Sequence, residues 1–528
     1  MNANLLMLLQ EQAAAQPQHV ALVDRTGLRG RDLTYAHLTR AAAQGATLLR
    51  RAGLQPGDRV LIFQPMSAAL YTALGAIFQA GLTAVFIDPG MTRRQLDRAA
   101  AGLAPRGFIA GPRGHLLRAI SPTIRRIPIR LSTGLSLPGA QSWARLSGQV
   151  PTTDIAEVDA ATPALITATS GSTGPIKFAI RSHGFLRRQH EAIHSALGMD
   201  PAAVVATTLP IFVLSFMASG VTTLLPRVDL RRPGAVRVAP LLRELDAARV
   251  TCLAASPAFL DAIARHCQAH TRTLPRITQI YSGGAPVFPV LTDRLRQIAP
   301  HAAVSAVYGA TEAEPIAILA HQDITPADRV AMDGGAGLLA GTPVPTLAVR
   351  VITDRWGSPR GPYAQAEWDA QQLPPGQPGE IVVCGPHVLT DSGPDDDARL
   401  TKITVNGQRW HRTGDAGYLD EQGRLWLLGR CMARLEARPG DAAYARYPFA
   451  VETAAHVLPE VKQAALVARG GKRLLALELF SAQPAAWLDT LHHQLAWAKI
   501  DEIRVLPQLP VDKRHNAKID YPALRKLL

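Results

Sequence analysis

Short apolar runs of β type alternate with longer Ala- and Leu-rich stretches of helical character through most of the chain. Arg59–Phe63 and Leu82–Ile87 are predicted to be strands, and Ser67–Gln79 between them is predicted to be a helix. A strand over Val250–Ser256 and a helix over Pro257–His270 repeat this order. Such alternation predicts an α/β fold with parallel or mixed sheets that are covered by helices.

The alternation gives way to a smaller unit toward the end of the chain. Strands are predicted near Gln463–Val467 and Leu474–Leu479. We therefore predict a large N-terminal domain over residues 1–430 and a small, mobile α+β domain over residues 431–528. The linker between them is expected near residues 429–440.

Two stretches depart from the alternating pattern. Val204–Leu225 has no charged residue, and about 20 such residues could span a bilayer. Pro210 and several Ser and Thr residues interrupt it, so a buried strand followed by a buried helix is predicted, and no transmembrane segment. Asp354–Gly379 is rich in Pro, Gly and Gln and is predicted to be an exposed loop.

Composition limits the class of protein. A chain of 528 residues with 47% hydrophobic residues is expected to form two or three folded domains. The first ten residues predict a helix and lack the basic region of a signal peptide. Four scattered cysteines without a CxxC pair suit a reducing compartment, so we expect a cytoplasmic protein. These are Cys252, Cys267, Cys384 and Cys431.

The net charge of +14 raises the question of nucleic-acid binding. The basic residues are spread along the chain, and the tightest groups are pairs such as Arg125–Arg126 and Arg231–Arg232. No recognisable nucleic-acid module accompanies them, so we expect no nucleic-acid partner. A positive field of this kind would also attract ATP and acidic substrates.

The segment with the most chemical information follows the predicted strand Ala164–Ala168. Small hydroxyl residues and two glycines allow a tight loop whose backbone N–H groups and hydroxyls can surround phosphate oxygens, and a lysine adds positive charge. It is not a Walker A loop, because β-type residues rather than a helix follow the lysine. The segment comprises Thr169, Ser170, Gly171, Ser172, Thr173, Gly174, Pro175, Ile176 and Lys177.

This segment resembles the phosphate loop of the adenylate-forming superfamily, which includes acyl-CoA synthetases, peptide-synthetase adenylation domains and luciferases. Other segments resemble further motifs of that superfamily, in its order and over essentially the whole chain. They are Ser282–Pro286, Tyr308–Glu312, Leu373–Gly376 with Gly379–Glu380 and Gly385–Pro386, Arg412–Asp415 with Gly429–Arg430, and Asn516–Lys518.

The resemblance implies that ATP and Mg²⁺ are the cofactors and that an acyl-AMP is formed. Glu312 would supply the hard oxygen ligand that ATP-bound Mg²⁺ needs. Asp415 would accept both ribose hydroxyls, supported by Arg430. The remaining implied nucleotide contacts are Gly283, Gly284, Ala285 and Pro286 along the adenine, Tyr308 stacked on it, Gly309 and Ala310, and Thr311 at a phosphate.

Lys518 is the residue expected to contribute most to catalysis, together with Lys177 and Glu312. During adenylation a carboxylate oxygen attacks the α-phosphorus, and negative charge grows on the α-phosphate and the bridging oxygen. An ammonium group delivered to that position stabilises the transition state more than the ground state. Lysine is also scarce in this chain, and Lys177 and Lys518 both fall at motif positions.

Three segments depart from a typical acyl-CoA synthetase. The acyl-gate segment lacks its usual histidine and has Phe212-Val213 there, which we assign to the acyl pocket. The usual Lys-x-Arg-Gly loop after Arg430 is replaced by Cys431–Pro439. The terminal motif carries Arg514-His-Asn. These departures resemble the β-lactone synthetase branch of bacterial olefin biosynthesis.

That branch adenylates a β-hydroxy acid, whose own hydroxyl then expels AMP. The first hypothesis is therefore adenylation of a fatty-acid-like substrate, with long-chain β-hydroxy acids favoured, followed by intramolecular lactone closure. The second is transfer of the acyl group to CoA. A catalytically silent nucleotide-binding protein is the third, and a nucleic-acid binder the fourth. Association with other enzymes of the pathway stays open.

Overall fold

The computed structural model describes residues 2–27, 30–88, 90–170, 176–390, 398–480, 487–511 and 518–528. These residues form two compact units. The first unit holds the chain up to residue 229 and residues 239–254. The second holds residues 230–238, 255–390 and the described residues from 398 onward.

The elements of the first unit follow the predicted strand–helix order. Its helices are α1 Leu6–Ala15, α2 Tyr35–Arg51, α3 Ala68–Gln79, α4 Arg93–Leu103, α5 Pro112–His115, α6 Leu117–Ile120, α7 Pro122–Arg125, α8 His183–Leu197, α9 Pro210–Ala218 and α10 Val238–Ala247. Its strands are β1 Val20–Asp24, β2 Arg31–Thr34, β3 Arg59–Phe63, β4 Thr83–Ile87, β5 Gly107–Ala110, β6 Ile129–Ser132, β7 Gln141–Ser142, β8 Pro163–Ser170, β9 Ile176–Ser182, β10 Val204–Thr207, β11 Thr222–Leu225 and β12 Cys252–Ala255.

Strands of the first unit pair in the orders β7-β6-β5-β3-β4-β8-β9 and β12-β10-β11-β1-β2. Most neighbours are parallel, while the β8–β9 and β1–β2 pairs are antiparallel. Leu61, Val85, Phe108 and Ile166 belong to one buried cluster, to which α4 adds apolar residues. Burial of strands by helices explains their nearly continuous apolar sequences.

The second unit carries longer strands and fewer crossover helices. Its strands are β13 Gln279–Gly283, β14 Ala303–Ala310, β15 Ala313–Ala320, β16 Leu338–Pro343, β17 Ala348–Ile352, β18 Gly379–Cys384, β19 Lys402–Val405, β20 Gln408–Leu419, β21 Leu425–Arg430, β22 Val461–Arg469, β23 Lys472–Leu479 and β24 Glu502–Val505. Its helices are α11 Pro257–Ala269, α12 Pro289–Ile298, α13 Pro326–Asp333, α14 Gln365–Asp369, α15 Ala398–Thr401, α16 Pro448–Ala455, α17 Trp487–Gln494 and α18 Tyr521–Leu527.

Strands of the second unit pair in the order β17-β18-β20-β21-β16-β15-β14-β13, and β19 pairs with β20. A smaller sheet, β22-β23-β24, forms the C-terminal part. The predicted fold class is confirmed: the chain combines large mixed sheets, covering helices and a smaller C-terminal domain. The boundary at residues 430 and 431 stays a prediction.

Most of the predicted local elements are confirmed. The strand and helix around Ser67 have the expected bounds, and Val204–Leu225 forms β10, α9 and an additional strand, β11. In the described part of the chain, no helix is both long and apolar enough to cross a membrane. The prediction of an exposed loop over Asp354–Gly379 was wrong at its centre, because α14 places Trp368 fully inside a buried cluster.

A buried ion pair joins β18 to β20. Arg412 and Glu380 are both inaccessible to solvent, and two N–H groups of the guanidinium donate to the two carboxylate oxygens, each at 2.7 Å. Arg412 also donates to the backbone carbonyls of Arg355, Ser358 and Leu400. Because its donors are satisfied by fixed acceptors, this pair holds the strand on which Asp415 lies.

A second buried carboxylate, Glu452 on α16, connects three elements of the C-terminal part. Its Oε1 accepts hydrogen bonds from the Leu466 backbone N–H at 2.9 Å and from the Tyr521 hydroxyl at 2.7 Å. Burial raises the pKa of Glu452 to about 7, and these two donors only partly oppose this effect. Glu452 therefore links α16, β22 and α18.

Replacing Arg412 with Met should leave the Glu380 carboxylate buried without its partner. We expect the free energy of unfolding to fall by about 3–5 kcal/mol, measured by chemical denaturation. Arg188→Met is the matched control, because the Arg188–Glu191 pair is largely exposed and should contribute no more than about 1 kcal/mol. Equal losses for the two variants would contradict the importance given to burial.

Glu452 should make stability depend on pH. The folded protein keeps a proton on this group between its ordinary pKa of 4.5 and about 7, whereas the unfolded chain releases it. The stabilisation is therefore present below pH 4.5 and lost as the pH rises to about 7. Relative to Glu452→Gln, the wild type should lose about 3 kcal/mol across this interval. Parallel pH profiles of unfolding free energy would refute this.

Candidate active site

The motif segments of the second unit meet at the ends of neighbouring strands. Gly283 at the end of β13 lies in parallel register with Val307 on β14, one residue before Tyr308. An added Cβ at Gly283 would come within 2.8 Å of the Val307 carbonyl, so this close approach requires glycine. The segment from Gly283 to Pro286 thus begins beside the Tyr308–Glu312 motif.

Asp415 is the centre of a polar cluster. It pairs in register with Arg430 on the adjacent strand, and their side chains form an ion pair at 3.1 Å. The hydroxyl of Tyr308, from β14, donates to the other carboxylate oxygen of Asp415 at 2.8 Å. Desolvation and the Asp415 carboxylate raise the pKa of Tyr308 well above its ordinary value. The phenol therefore stays a hydrogen-bond donor at neutral pH.

Thr413 supports this cluster from the backbone side. Its carbonyl accepts a hydrogen bond from Arg430 at 3.2 Å, and its hydroxyl accepts one from the Asp415 backbone N–H at 3.0 Å. Gly414 adopts a φ of +70°, and an added Cβ would lie 2.9 Å from the Trp356 ring. The conformation of residues 413–415 is thus fixed by the hydrogen bond from the Asp415 N–H to the Thr413 hydroxyl and by the packing of Trp356 against Gly414.

Glu312 lies in the turn between β14 and β15 and is half-buried. Asp415 chiefly raises the pKa of Arg430, and the Tyr308 and Glu312 side chains add to this effect, so Glu312 belongs to the same electrostatic cluster. A partly accessible carboxylate fits a Mg²⁺ ion that keeps several water molecules and binds phosphates, since such ions need only one or two protein carboxylates.

A short segment, residues 387–390, runs beside Glu312 and was missed by sequence reasoning. The Leu389 backbone N–H donates to the Glu312 carbonyl at 2.7 Å, and Val388 bridges Ala313. The buried ammonium of Lys402 donates to the Leu389 carbonyl and lies 3.1 Å from His411 Nδ1. Lysine scarcity, the signal that favoured Lys177 and Lys518, applies equally to Lys402.

The C-terminal lysine motif is described from Lys518 onward. Lys518 is half-buried and is followed by Ile519, which forms a β-bridge with Val511. Burial and Glu452 raise the pKa of Tyr521, and the positive charge of Arg430 partly offsets this.

The structure brings together Tyr308, Glu312, Asp415 and Arg430, all in the second unit. Gly309, Ala310 and Thr311 lie between Tyr308 and Glu312 in sequence. Gly283 ends the strand beside β14, and Gly284, Ala285 and Pro286 follow it directly. Lys177 belongs to the first unit. Its backbone lies opposite Thr169 in the β8–β9 ladder, and its side chain is exposed. Residues outside the described ranges include five of the predicted phosphate loop, Gly171, Ser172, Thr173, Gly174 and Pro175, and four of the terminal lysine motif, Arg514, His515, Asn516 and Ala517.

The predicted acyl-pocket residues Phe212 and Val213 are buried in α9. A cavity of about 50 Å³ lies between α1, α3, α8 and α9, where Ile211, Leu214 and Ser215 contribute to its wall. The assignment of Phe212 and Val213 to an acyl pocket stays a prediction.

Comparisons of this sequence with known proteins agree on one enzyme family. Residues 9–390 match the AMP-binding enzyme family. Olefin β-lactone synthetases of Stenotrophomonas maltophilia and Xanthomonas campestris are 31% and 30% identical, over 98% of this chain and 96% of each relative. A feruloyl-CoA synthase of Amycolatopsis is 28% identical over 83% of this chain and 81% of its own length.

Solved structures share the fold at low sequence identity. An anthranilate CoA ligase in complex with anthranoyl-AMP has a TM-score of 0.83 at 17% identity and covers 100% of this chain and 97% of its own. ATP-bound MatB from Rhodopseudomonas palustris has a TM-score of 0.77 at 21% identity and covers 100% and 99%. The chain belongs to the AMP-binding enzyme family and is an adenylate-forming ligase.

Proposed function

We propose that this enzyme activates a long-chain β-hydroxy carboxylic acid as its acyl-AMP and then closes the acyl group to a β-lactone with release of AMP. The observation that carries the second step is the segment after Arg430. Cys431, Ala433 and Leu435 are buried there, and Arg434 forms an ion pair with the Asp354 carboxylate. The two β-lactone synthetase relatives support the same proposal.

This segment, in which Cys431, Ala433 and Leu435 are buried, replaces the Lys-x-Arg-Gly loop that a typical acyl-CoA synthetase uses on its thiol side. Arg434 also donates to the Asp354 backbone carbonyl, and the Leu435 N–H donates to the carbonyl of Arg446 at 2.8 Å. A segment anchored in this way is poorly suited to swing over a nucleotide and shape a thiol tunnel. Lactone closure needs no thiol.

In the first step, Asp415 and Arg430 would hold the ribose, and Glu312 would hold Mg²⁺ on the phosphates. A carboxylate oxygen of the substrate attacks the α-phosphorus, and the bond to pyrophosphate breaks. The ammonium groups of Lys177 and Lys518 would stabilise the charge that develops on the phosphate oxygens.

In the second step, the β-hydroxyl oxygen attacks the acyl carbon. The bond between that carbon and the phosphate oxygen breaks, AMP leaves, and the hydroxyl proton passes to solvent. The nucleophile and the electrophile belong to one molecule, so the reaction gains a high effective molarity.

We place the enzyme in the cytoplasm, because all four cysteines are free and buried.

Product analysis tests the proposal. The protein is incubated with MgATP and a 2-alkyl-3-hydroxy fatty acid, with and without CoA, and pyrophosphate, AMP and acyl products are followed. We expect AMP and β-lactone in equal amounts without CoA. A thioester formed only in the presence of CoA would overturn lactone closure while leaving adenylation intact.

Lys518→Ala should reduce adenylation by roughly 10²–10³-fold with little change in ATP affinity, because the ammonium acts mainly in the transition state. Lys526→Ala is the matched control, since Lys526 is an exposed lysine of α18. Single-turnover formation of acyl-AMP and equilibrium binding of ATP separate the two effects. Normal turnover in Lys518→Ala would remove its assigned role.

A further inference from the structure

One stretch of the first unit's sequence is rich in arginine and contains no acidic residue. From Arg98 to Thr153 the sequence contains eight arginines and no aspartate or glutamate. The whole chain has 42 acidic residues in 528, so a stretch of this length would contain about four on average. This stretch therefore carries more of the chain's net charge of +14 than its length alone would give.

The arginines at the centre of this stretch gather on α6, α7 and β6. Arg118 donates to the Pro138 carbonyl at 3.3 Å, and Arg125 donates to the carbonyls of Arg118 and Ala119. Arg130 donates to the Arg125 carbonyl at 2.6 Å. In the part of the chain described by the structure, none of these three guanidinium groups forms an ion pair with a carboxylate.

These cations also act on one another. Burial and the charge of Arg130 lower the pKa of Arg118. Burial lowers the pKa of His115, and the positive charges of Arg118 and Arg130 lower it further. The hydrogen bond to the Leu131 carbonyl acts in the opposite direction and raises it. Like charges that are held together without a counter-ion are stabilised when an anion binds.

Large apolar side chains stand exposed beside the arginines. Leu116, Ile120 and Leu135 are 68%, 50% and 69% exposed. The contact from Arg118 to Pro138 joins α6 to the loop after β6, which also carries Leu135. The arginines and the exposed aliphatic side chains therefore occupy one continuous surface, residues 112–139, which we call the basic cap.

We propose that the basic cap docks on the surface of an anionic phospholipid membrane. The arginines would meet the lipid phosphates, and Leu116, Ile120 and Leu135 would enter the boundary between headgroups and acyl chains. Lipid surfaces place phosphates directly over an apolar phase, which matches both features of the cap. Nucleic acids match less well, because binding to single strands depends on aromatic stacking, and the exposed side chains here are aliphatic. This inference does not depend on the proposed lactone chemistry.

Vesicle flotation tests the proposal with the full chain. Purified protein is mixed with vesicles of phosphatidylcholine alone or of phosphatidylcholine with about one-third phosphatidylglycerol, a composition rich enough in charge to attract basic surfaces. We expect the protein to float with the anionic vesicles and to remain behind with the neutral ones. Raising NaCl from about 0.05 M to about 0.5 M should weaken binding, because the Debye length shortens.

Two cap variants separate charge from apolar insertion. Arg113→Gln/Arg126→Gln removes two exposed charges and should lower partitioning roughly tenfold or more. Leu116→Ser/Leu135→Ser should lower it several-fold with the salt dependence retained. Arg237→Gln/Arg243→Gln, which removes two exposed charges elsewhere, is the matched control and should bind like the wild type.

The alternative outcomes overturn the proposal. Equal binding of wild type, cap variants and control would show that net charge or another surface is responsible. Binding of inorganic phosphate or a single-stranded oligonucleotide by the cap, without vesicle binding, would identify a different anion. Adenylation measured without vesicles should be unchanged in the cap variants, so a failure of the lactone proposal is distinguishable from a failure here.

Discussion

Asp415 can present its carboxylate in one geometry only if its own strand, β20, is fixed against the neighbouring strand β18, and the buried pair of Arg412 and Glu380 fixes these two strands. Arg412 is three residues before Asp415, and Glu380 lies on the neighbouring strand, so the ion pair holds β18 against β20. Between these positions, Thr413 bonds to the Ile381 carbonyl at 2.9 Å. The positions of Tyr308, Asp415 and Arg430 in their cluster therefore depend on this ion pair and this hydrogen bond.

This dependence gives a physical reason for two motifs that seem unrelated along the chain. Gly379–Glu380 and Arg412–Asp415 are parts of one structure, in which the first segment supplies the buried acid and the second supplies its partner and a polar side chain of the site. A buried carboxylate and guanidinium are costly when either is alone. Their pairing therefore links the folding of this sheet to the placement of Asp415.

Much of the fold could be predicted from sequence, because hydrophobic periodicity reports on single elements. The strands at Arg59 and Thr83 and the helix between them are examples. Contacts between distant elements could not be predicted in this way. The Tyr308–Asp415 hydrogen bond joins residues 107 positions apart, and the hydrogen bond from Lys402 to the Leu389 carbonyl joins residues 13 positions apart. Trp368 was missed because Pro and Gly around α14 predict a loop, whereas tertiary packing buries the indole.

We propose that the protein forms an acyl-AMP before any acceptor is used. Acid-dependent exchange of labelled pyrophosphate into ATP tests it most directly, because exchange requires reversible formation of an enzyme-bound adenylate. We predict exchange when a β-hydroxy fatty acid is added in the absence of CoA, and none when the acid is omitted. Consumption of ATP to ADP, with no acid-dependent exchange, would contradict the account.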